Sequence, residues 1–360
     1  MPIPLPLVHA GLSKAVAFRS RKGIHYVQEE KEVTGGVAIS LTAVITTVTR
    51  EVPRFLAVKL PGPSSPEALD ALPFGPFDPE RDRTLELGLR RWVREKTGIE
   101  IGYVEQLYTF GNRNRDPVER SGGPRVISVA YLALVREVQP SGGSGAAWRD
   151  WYQYFPWEDW RRGQPKVVES RIAPALDRWI RSAETREKRR ERRERCDIFF
   201  GRGGAPWVAE RVLDRYELLY EVGLAAEAGR DAGIRSATPP DPDTSGNPHL
   251  GQPMAFDHRR ILATALGRLR GKLKYRPVVF ELLPETFTLL QLQRVVEAMT
   301  GIGLHKQNLR RMVESGGLVE ATGQIHSQTG GRPAGLFRFR REVLRERPAA
   351  GVGIPGLLHG

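Results

Sequence analysis

Two short helix-forming segments, separated by a glycine-containing turn, stand in the C-terminal part of the chain. In FTLLQLQRVVEAMTG, Thr288 is suited to cap a helix. The apolar residues of this segment recur on one side at helical spacing, namely Leu289, Leu292, Val296 and Met299. In HKQNLRRMVE, a second stripe has the spacing i, i+3 and i+4, formed by Leu309, Met312 and Val313. Residues 301–303 form the turn, so the pair is predicted to be a helix-turn-helix.

A glycine-punctuated basic segment follows the second helix. GLVEATG is predicted to be extended, and QIHSQTGGRPAGLFRFR predicts a hairpin with Gly330 and Gly331 near its tip. Near the end of this segment, Phe337 and Phe339 alternate with arginines. Residues 305–347 hold nine Lys and Arg against four Glu. A basic hairpin in this place predicts the winged variant of the helix-turn-helix.

The outward side of the second helix carries side chains suited to DNA. At about 100° per residue, Gln307 and Arg311 lie opposite the apolar stripe. Asn308 and Arg310 flank that face, and Lys306 lies nearer the apolar edge. Arg and Lys match guanine edges, Gln and Asn match adenine, and wing arginines reach phosphates. We therefore predict that double-stranded DNA is bound by Lys306, Gln307, Asn308, Arg310, Arg311 and Arg332. The alternative is that this face is only solvated and contacts no DNA. Winged helices also serve as protein-binding modules, so the fold alone does not decide.

The composition limits the remaining possibilities. A formal net charge of +13 favours polyanions such as nucleic acid and nucleotides, or an acidic membrane surface. The single Cys196 excludes an internal disulfide framework and a cysteine-rich zinc site. No apolar run is long enough to span a membrane, and the first residues lack a signal-peptide pattern. We expect a reducing, cytoplasmic setting.

The N-terminal half alternates predicted strands and helices. Residues 37–48 and 54–60 have strand patterns, and residues 84–98 predict a helix that ends at Gly98. Further strands, EIGYVEQLYTFGN and RVISVAYLALV, follow this helix. The run ETREKRRERRER has no apolar face and predicts a solvated helix or tether, and residues 237–253 have a linker composition.

This order of elements resembles a Nudix domain, whose signature is G-x5-E-x7-R-E-U-x-E-E-x-G-U with U a bulky aliphatic residue. ALPFGPF, QLYTFGNRNRDP and RVISVAYLALV are similar to stretches of the branch that acts on ADP-ribose and related compounds. With KLKYRPVVFELLPETFTLLQLQRVVEAMTG, LHKQNLRR and GGRPAGLFRF, most of the chain resembles the NrtR-like Nudix-related transcriptional regulators of NAD metabolism. The resemblance implies a dimeric bacterial repressor, in which a nucleotide such as ADP-ribose binds the Nudix domain and alters the affinity for DNA.

We predict an α+β fold, with a Nudix-type α/β/α sandwich followed by a helical linker and a winged helix-turn-helix domain. The predicted division is an N-terminal arm at 1–30, a ligand-sensing Nudix-like domain at 31–182, and a charged helical tether and linker at 183–254. A DNA-binding winged helix domain at 255–347 and a flexible tail at 348–360 complete it.

The signature of this chain departs from the family's. Counting back from Gly98, Arg91 stands at the signature arginine, while Arg83, Trp92 and Lys96 stand where three glutamates are expected. Only Glu95 remains, as a vestigial metal ligand, and Gly75 precedes Arg83 by eight residues instead of six. Because Mg²⁺ prefers oxygen ligands, commonly carboxylates, these changes predict loss of hydrolysis, no catalytic residues and no required cofactor.

The same changes add positive charge that can attract a phosphorylated ligand. We predict ligand contacts by Arg83, Lys96, Arg113 and Arg115, with solvated side chains as the alternative. A second alternative is an active pyrophosphatase that uses Mg²⁺ with other acids, among them Glu80, Asp82 or Glu86.

Overall fold

A computed structural model describes residues 15–20, 23–28, 36–60, 68–136, 138–140, 145–231, 250–326, 333–346 and 351. The strands are β1 (Ala15–Ser20), β2 (Gly23–Gln28), β3 (Val37–Thr49), β4 (Val52–Leu60), β5 (Leu69–Ala71), β6 (Phe74–Pro76), β7 (Tyr103–Phe110), β8 (Arg125–Leu134), β9 (Ala147–Asp150), β10 (Thr286–Phe287), β11 (Val319–His326) and β12 (Ala334–Phe339). The helices are α1 (Leu85–Thr97), α2 (Pro117–Arg120), α3 (Trp151–Tyr154), α4 (Ala173–Arg181), α5 (Arg186–Phe200), α6 (Val212–Glu221), α7 (Ala226–Asp231), α8 (His258–Leu273), α9 (Leu289–Thr300), α10 (Lys306–Ser315) and α11 (Val343–Glu346).

Seven strands form the main sheet, in the order β5-β4-β3-β8-β7, with β6 paired to β3 and β9 to β4. Strands β3 and β8 run parallel, whereas β7 is antiparallel to β8. Alternate residues of β3 face opposite sides, because side chains alternate along a strand. Leu41 and Ile45 pack with Leu89 and Val93 of α1, while Val44 belongs to the larger core that includes the helices of the C-terminal half. The predicted α/β/α sandwich is confirmed.

Helix α1 begins and ends where the sequence predicts. The Thr84 hydroxyl accepts a hydrogen bond from Leu87 N at 3.1 Å, which satisfies one of the free amides of the first turn. At the other end Gly98 has φ 69°, a left-handed conformation that glycine adopts without strain. The helix bearing the altered Nudix signature is therefore regular over its whole length.

Weak periodicity predicts an irregular structure for the N-terminal arm, and this prediction is wrong for residues 15–20 and 23–28. Strands β1 and β2 pair as an antiparallel hairpin, from Ala15 opposite Gln28 to Ser20 opposite Gly23. Pairing between two such short segments leaves little signal in the periodicity of either one. The rest of the arm, residues 1–14, 21–22 and 29–30, lies outside the described residues, as does the predicted tail at 348–360 except for Gly351.

The charged run is a helix, and its end is anchored in the core. Helix α5 is capped by Thr185. Its first turns are exposed, and its last turns contain the buried Cys196 and Phe200. Helix α6 adds buried Tyr216 and Leu219 to the same core as the sheet. Residues 183–231 are thus packed rather than a free tether, because apolar residues close the charged run. Residues 232–249, most of the predicted linker, lie outside the described residues.

The C-terminal region contains α9, α10 and a three-stranded sheet in the order β10-β12-β11. Leu292, Val296 and Met299 of α9 pack with Leu309 and Val313 of α10. The predicted winged helix-turn-helix is confirmed. No helix within the described ranges combines the length and the apolarity that crossing a membrane requires.

Buried ion pairs join α8 to the rest of the chain, and we call them the charge seam. They are Glu158 with Arg215 and Arg270, Glu227 with Arg259, and Arg115 with Asp257. Glu158 Oε1 lies 2.6 Å from Arg215 Nε, and Glu158 Oε2 lies 2.5 Å from Arg270 Nη1. All these side chains are at most 6% exposed. Helix α8, which the sequence assigns to the winged helix domain, is therefore tied by charge to residues of the preceding regions.

Candidate functional site

A capping box fixes the start of α9. Gln291 N donates to the Thr288 hydroxyl at 3.2 Å, and Thr288 N donates to Gln291 Oε1 at 2.8 Å. This reciprocal arrangement satisfies two amides that a helix start leaves free. The other end of α9 closes at Gly301, whose φ of 72° is again left-handed. Both predicted ends of this helix are confirmed.

The turn between α9 and α10 is held by side chains of α9. Leu304 N donates to Glu297 Oε1 at 2.8 Å, and the Gln293 amide donates to Leu304 O at 2.9 Å. The Gln293 amide also donates to Glu297 Oε1 at 2.9 Å. These bonds set the direction in which α10 leaves the turn.

Helix α10 presents the predicted polar side chains to solvent. Leu309 and Val313 are buried, and Met312 is partly buried. Exposed side chains cover the rest of the first two turns: Lys306, Gln307, Asn308, Arg310 and Arg311. Arg310 Nε lies 3.0 Å from Glu314 Oε1. The other four side chains make no hydrogen bond or ion pair with a described residue, so their donors and acceptors are free for a partner.

The wing packs by its aromatic residues and neutralises two of its arginines. Phe339 stacks on Phe280 with ring centroids 4.3 Å apart. Arg338 pairs with Glu320, and Arg340 Nη2 lies 2.5 Å from Glu346 Oε2. Residues 327–332 lie outside the described residues, so the predicted DNA contact of Arg332 stays a prediction.

The acids around α1 are paired with arginines. Arg91 donates to both oxygens of Asp82, at 2.9 and 3.0 Å, and its Nη1 lies 3.2 Å from Glu95 Oε2. Asp82 is 6% exposed, and it fits there because Gly88 has no side chain: a Cβ on Gly88 would lie 2.6 Å from Asp82 Oδ2. Burial disfavours the charge of Arg91, but the hydrogen bonds and charges of the two acids outweigh it and raise its pKa.

Trp92 covers the place where the signature calls for a carboxylate. A Cβ built on Gly75 would lie 2.0 Å from Trp92 Nε1, so the indole lies against the backbone of β6. Gly75 is the glycine with which the signature begins, so the start of the altered motif contacts Trp92 of its helix. Among the described residues, no three or more His, Cys, Asp or Glu side chains are grouped so as to hold a metal ion.

The four predicted ligand residues do not converge on one site. Arg83 precedes α1 and Lys96 is in its last turn, which separates their backbones by roughly 20 Å along the helix. Arg113 is exposed in a loop. Arg115 is only 5% exposed and donates to both oxygens of Asp257, at 2.9 and 2.6 Å. Its side chain thus belongs to the charge seam, and its ligand contact stays a prediction.

A cationic cleft beside α1 contains Arg83 and was not predicted. It has a volume of about 530 Å³, and its charged lining consists of Arg81, Asp82, Arg83, Arg90, Arg91, Arg94 and Glu100. Arg90 and Arg94 have the spacing i, i+4, which places them on one side of α1, and Arg83 lies just before the Thr84 cap of the same helix. That spacing is the signal by which the sequence could have indicated the cleft.

The helix-turn-helix contacts the N-terminal region directly. Trp160 N donates to Gly301 O at 2.7 Å, and the Tyr152 hydroxyl donates to Ala298 O at 2.7 Å. On a neighbouring edge, Arg294 Nη1 lies 2.5 Å from Glu51 Oε1 in the β3–β4 turn. The turn that orients α10 therefore rests on the region that carries the altered Nudix helix.

Comparison with known proteins identifies the modules. Residues 279–339 match the family model of the NrtR DNA-binding winged helix domain. Over these residues the chain resembles NrtR. It is 26% identical over 269 residues to the "ADPR responsive transcriptional repressor NtrR" of Acinetobacter baylyi, an alignment that covers 75% of this chain and 69% of that protein.

The NrtR-like chain also shares its fold with a solved structure. The crystal structure of Shewanella oneidensis NrtR complexed with a 27mer DNA matches with a TM-score of 0.50 and 22% identity, covering 85% of this chain and 95% of that chain. The resemblance inferred from the sequence is thereby confirmed, from the N-terminal sheet to the winged helix.

Proposed function

We propose that this NrtR-like chain is a transcriptional regulator that binds operator DNA through α10 and its wing. The observation that carries the proposal is the exposed polar face of α10 in an NrtR-type winged helix domain, on which Lys306, Gln307, Asn308 and Arg311 make no side-chain bond to a described residue. Side chains of these types match base edges in the major groove. The printed name of the Acinetobacter relative, an ADPR responsive transcriptional repressor, supports the same function and repression as its direction.

We propose further that the N-terminal domain senses an ADP-ribose-like nucleotide without hydrolysing it and without requiring Mg²⁺. The pairing of Asp82 and Glu95 with Arg91, and of Glu86 with Arg90, supports this. Each of these three acids would have to leave an arginine before it could bind a metal. The cleft that contains Arg83 offers guanidinium groups suited to phosphate oxygens.

Control of DNA binding requires that the nucleotide bind the DNA-competent and DNA-incompetent states with different affinity. The contacts of Trp160 and Tyr152 with the end of α9 and the turn supply a direct physical connection between the two modules. A coupling of about 1–3 kcal/mol would change operator affinity roughly 5–150-fold.

A homodimer stays a prediction, as does a cytoplasmic setting. One recognition helix reads a few base pairs, so twofold symmetry would double the contacts and fix the half-site spacing at about one helical turn, roughly 34–36 Å, or a multiple of it. Sedimentation of the complex should give two chains per operator, and a single chain per operator would contradict the dimer.

The test begins with selection of bound sequences from a pool of random duplexes by the full chain. A recurring, near-palindromic site is expected, and binding to it should weaken steeply with salt. Calorimetry with ADP-ribose, NAD and related nucleotides should find a ligand that chromatography shows intact after incubation with Mg²⁺. Absence of any duplex binding at low salt would refute the DNA-binding proposal. Rapid metal-dependent hydrolysis that is lost in Glu95→Gln would instead favour the pyrophosphatase.

A further inference from the structure

Helix α5 separates its charges by face. Four arginines have the spacing i, i+3, i+4 and i+7, which places them on one side of the helix; they are Arg186, Arg189, Arg190 and Arg193. We call them the arginine stripe. The glutamates of the same turns, Glu187, Glu191 and Glu194, have the spacing i, i+4 and i+7 and lie on another side. All four stripe residues are exposed, and none of their side chains makes a hydrogen bond or an ion pair with another described residue.

The remaining arginines of α5 hold the helix in place. Arg192 Nη1 donates to Trp179 O at 2.6 Å, and its guanidinium lies 4.5 Å from the centre of the Trp179 ring. Arg195 lies 5.4 Å from the same ring and pairs with Glu221 at 2.6 Å. With Cys196 buried, these contacts fix the rotation of α5. The outward direction of the arginine stripe is therefore set by packing.

The arginine stripe opposes helix stability when it has no partner. Arg186 with Arg190, and Arg189 with Arg193, are like charges at i, i+4, an arrangement that disfavours a helix. Arg193 lines a cleft whose other charged residues are Asp177, Arg181, Asp197 and Arg202, and Asp177 already pairs with Arg202. The side chains of the other three make no ion pair with a described residue. An external polyanion would relieve this repulsion.

The end of α5 is connected to the turn of the helix-turn-helix through two tryptophans. Phe200 contacts Trp207 with ring centroids 6.3 Å apart, and Trp207 contacts Trp160 at 4.3 Å. Trp160 N in turn bonds to Gly301 O. The arginine stripe lies 7 to 14 residues before Phe200, or roughly 10–21 Å along the helix axis. This distance between Phe200 and the stripe residues corresponds to roughly three to six base pairs at 3.4 Å per pair.

We propose that the arginine stripe binds the phosphate backbone of the DNA that flanks the operator. The inference rests on the proposed DNA-binding function. Guanidinium groups match phosphate oxygens in geometry as well as in charge, and such contacts position a protein on DNA without reading its sequence. The arginine stripe thus adds affinity outside the base pairs that α10 reads.

The experiment compares the full chain with a variant in which all four stripe arginines are replaced by Gln. Both bind the selected operator as a minimal duplex and as a duplex lengthened by about one helical turn on each side. For the unchanged chain, the longer duplex should bind more tightly and with a steeper salt dependence. Each phosphate contact adds about 0.9 to the slope of log affinity against log salt, so three to four contacts add roughly 3 for each bound chain. The variant should lose this difference and keep its base preference.

A matched control on the same helix replaces Glu187, Glu191 and Glu194 by Gln, and it should not weaken binding to either duplex. Circular dichroism should show that both variants stay folded. If the four-arginine variant keeps the full difference in salt slope, the arginine stripe is a solvated face and the inference is overturned. If the unchanged chain binds neither duplex, the proposed function fails before the arginine stripe is tested.

Discussion

Arginine serves two different purposes in the charge seam and on helix α10. In the seam, Arg215, Arg259 and Arg270 have no exposed surface, and each is bonded to a carboxylate and to backbone carbonyls. On α10, Arg310 and Arg311 are exposed, and Arg311 makes no side-chain bond to a described residue. The net charge of +13 is therefore divided. Buried arginines hold the regions together, and only the outward ones are available to a polyanion.

The electrostatics of the seam depend on complete pairing. Burial alone would raise the pKa of Glu158, but the charges and hydrogen bonds of Arg215 and Arg270 hold it below its ordinary value. A buried charge without its counterion is strongly unfavourable, whereas an exposed charge is solvated by water. The two regions should therefore respond to mutation in opposite ways, stability being lost in one and DNA affinity in the other.

The largest effect is expected from Glu158→Gln. The change leaves two buried guanidinium groups without a carboxylate and should lower the free energy of unfolding by roughly 3–5 kcal/mol. Urea unfolding of the full chain measures it. The matched control, Glu51→Gln, breaks the exposed pair with Arg294 and should cost less than about 1 kcal/mol. Equal effects of the two variants would show that burial of the seam is not what matters.

A second prediction concerns pH and His258. The ring is buried, its Nδ1 accepts a hydrogen bond from Leu72 N at 3.0 Å, and burial lowers its pKa to about 3. Below the ordinary histidine pKa of about 6.5, the unfolded chain binds a proton that the folded chain does not. Stability is thus complete above that pH and should fall by about 1.4 kcal/mol per unit as pH decreases, or about 2 kcal/mol between pH 6.5 and 5.

Urea unfolding at several pH values tests this slope. His258→Gln keeps an acceptor but does not titrate, so its stability should change less over the same range. A variant that keeps the full slope would assign the pH dependence to other groups.

For the exposed region, Arg311→Ala should cost roughly 1–3 kcal/mol of operator binding and relax base preference, if the guanidinium contacts a guanine. The melting temperature of the variant should not change, because the Arg311 side chain makes no bond to another described residue. Arg338→Ala is the control in the wing, since Arg338 already pairs with Glu320. If the Arg311→Ala variant loses stability but keeps its base specificity, Arg311 supports the fold and does not read bases.

The smallest effect is expected from Glu95→Gln. Its described contact is the exposed pair with Arg91, so stability should change by less than about 1 kcal/mol. Calorimetry should give the same nucleotide affinity for both proteins, with or without Mg²⁺. A metal-dependent loss of nucleotide binding in the variant would show that Glu95 still serves as a ligand.

The sequence by itself determined the local architecture. The helix cap at Thr288, the glycines that end helices at 98 and 301 and the buried Leu309 and Val313 are all where the pattern predicts. These features follow from helical periodicity and end chemistry within a few residues. The family likeness followed in the same way, because its motifs are also local.

Only the tertiary structure decided how distant residues combine. A charged residue such as Arg115 is ordinarily exposed. In the structure it pairs with Asp257, 142 positions later. Trp92 meets Gly75 across a loop, and the rotation of α5 depends on Trp179. Periodicity states which side of a helix is buried, but it does not state what covers that side. The choice between a structural and a functional arginine depends on which acid folding brings beside it, so the sequence could name the basic residues but not their roles.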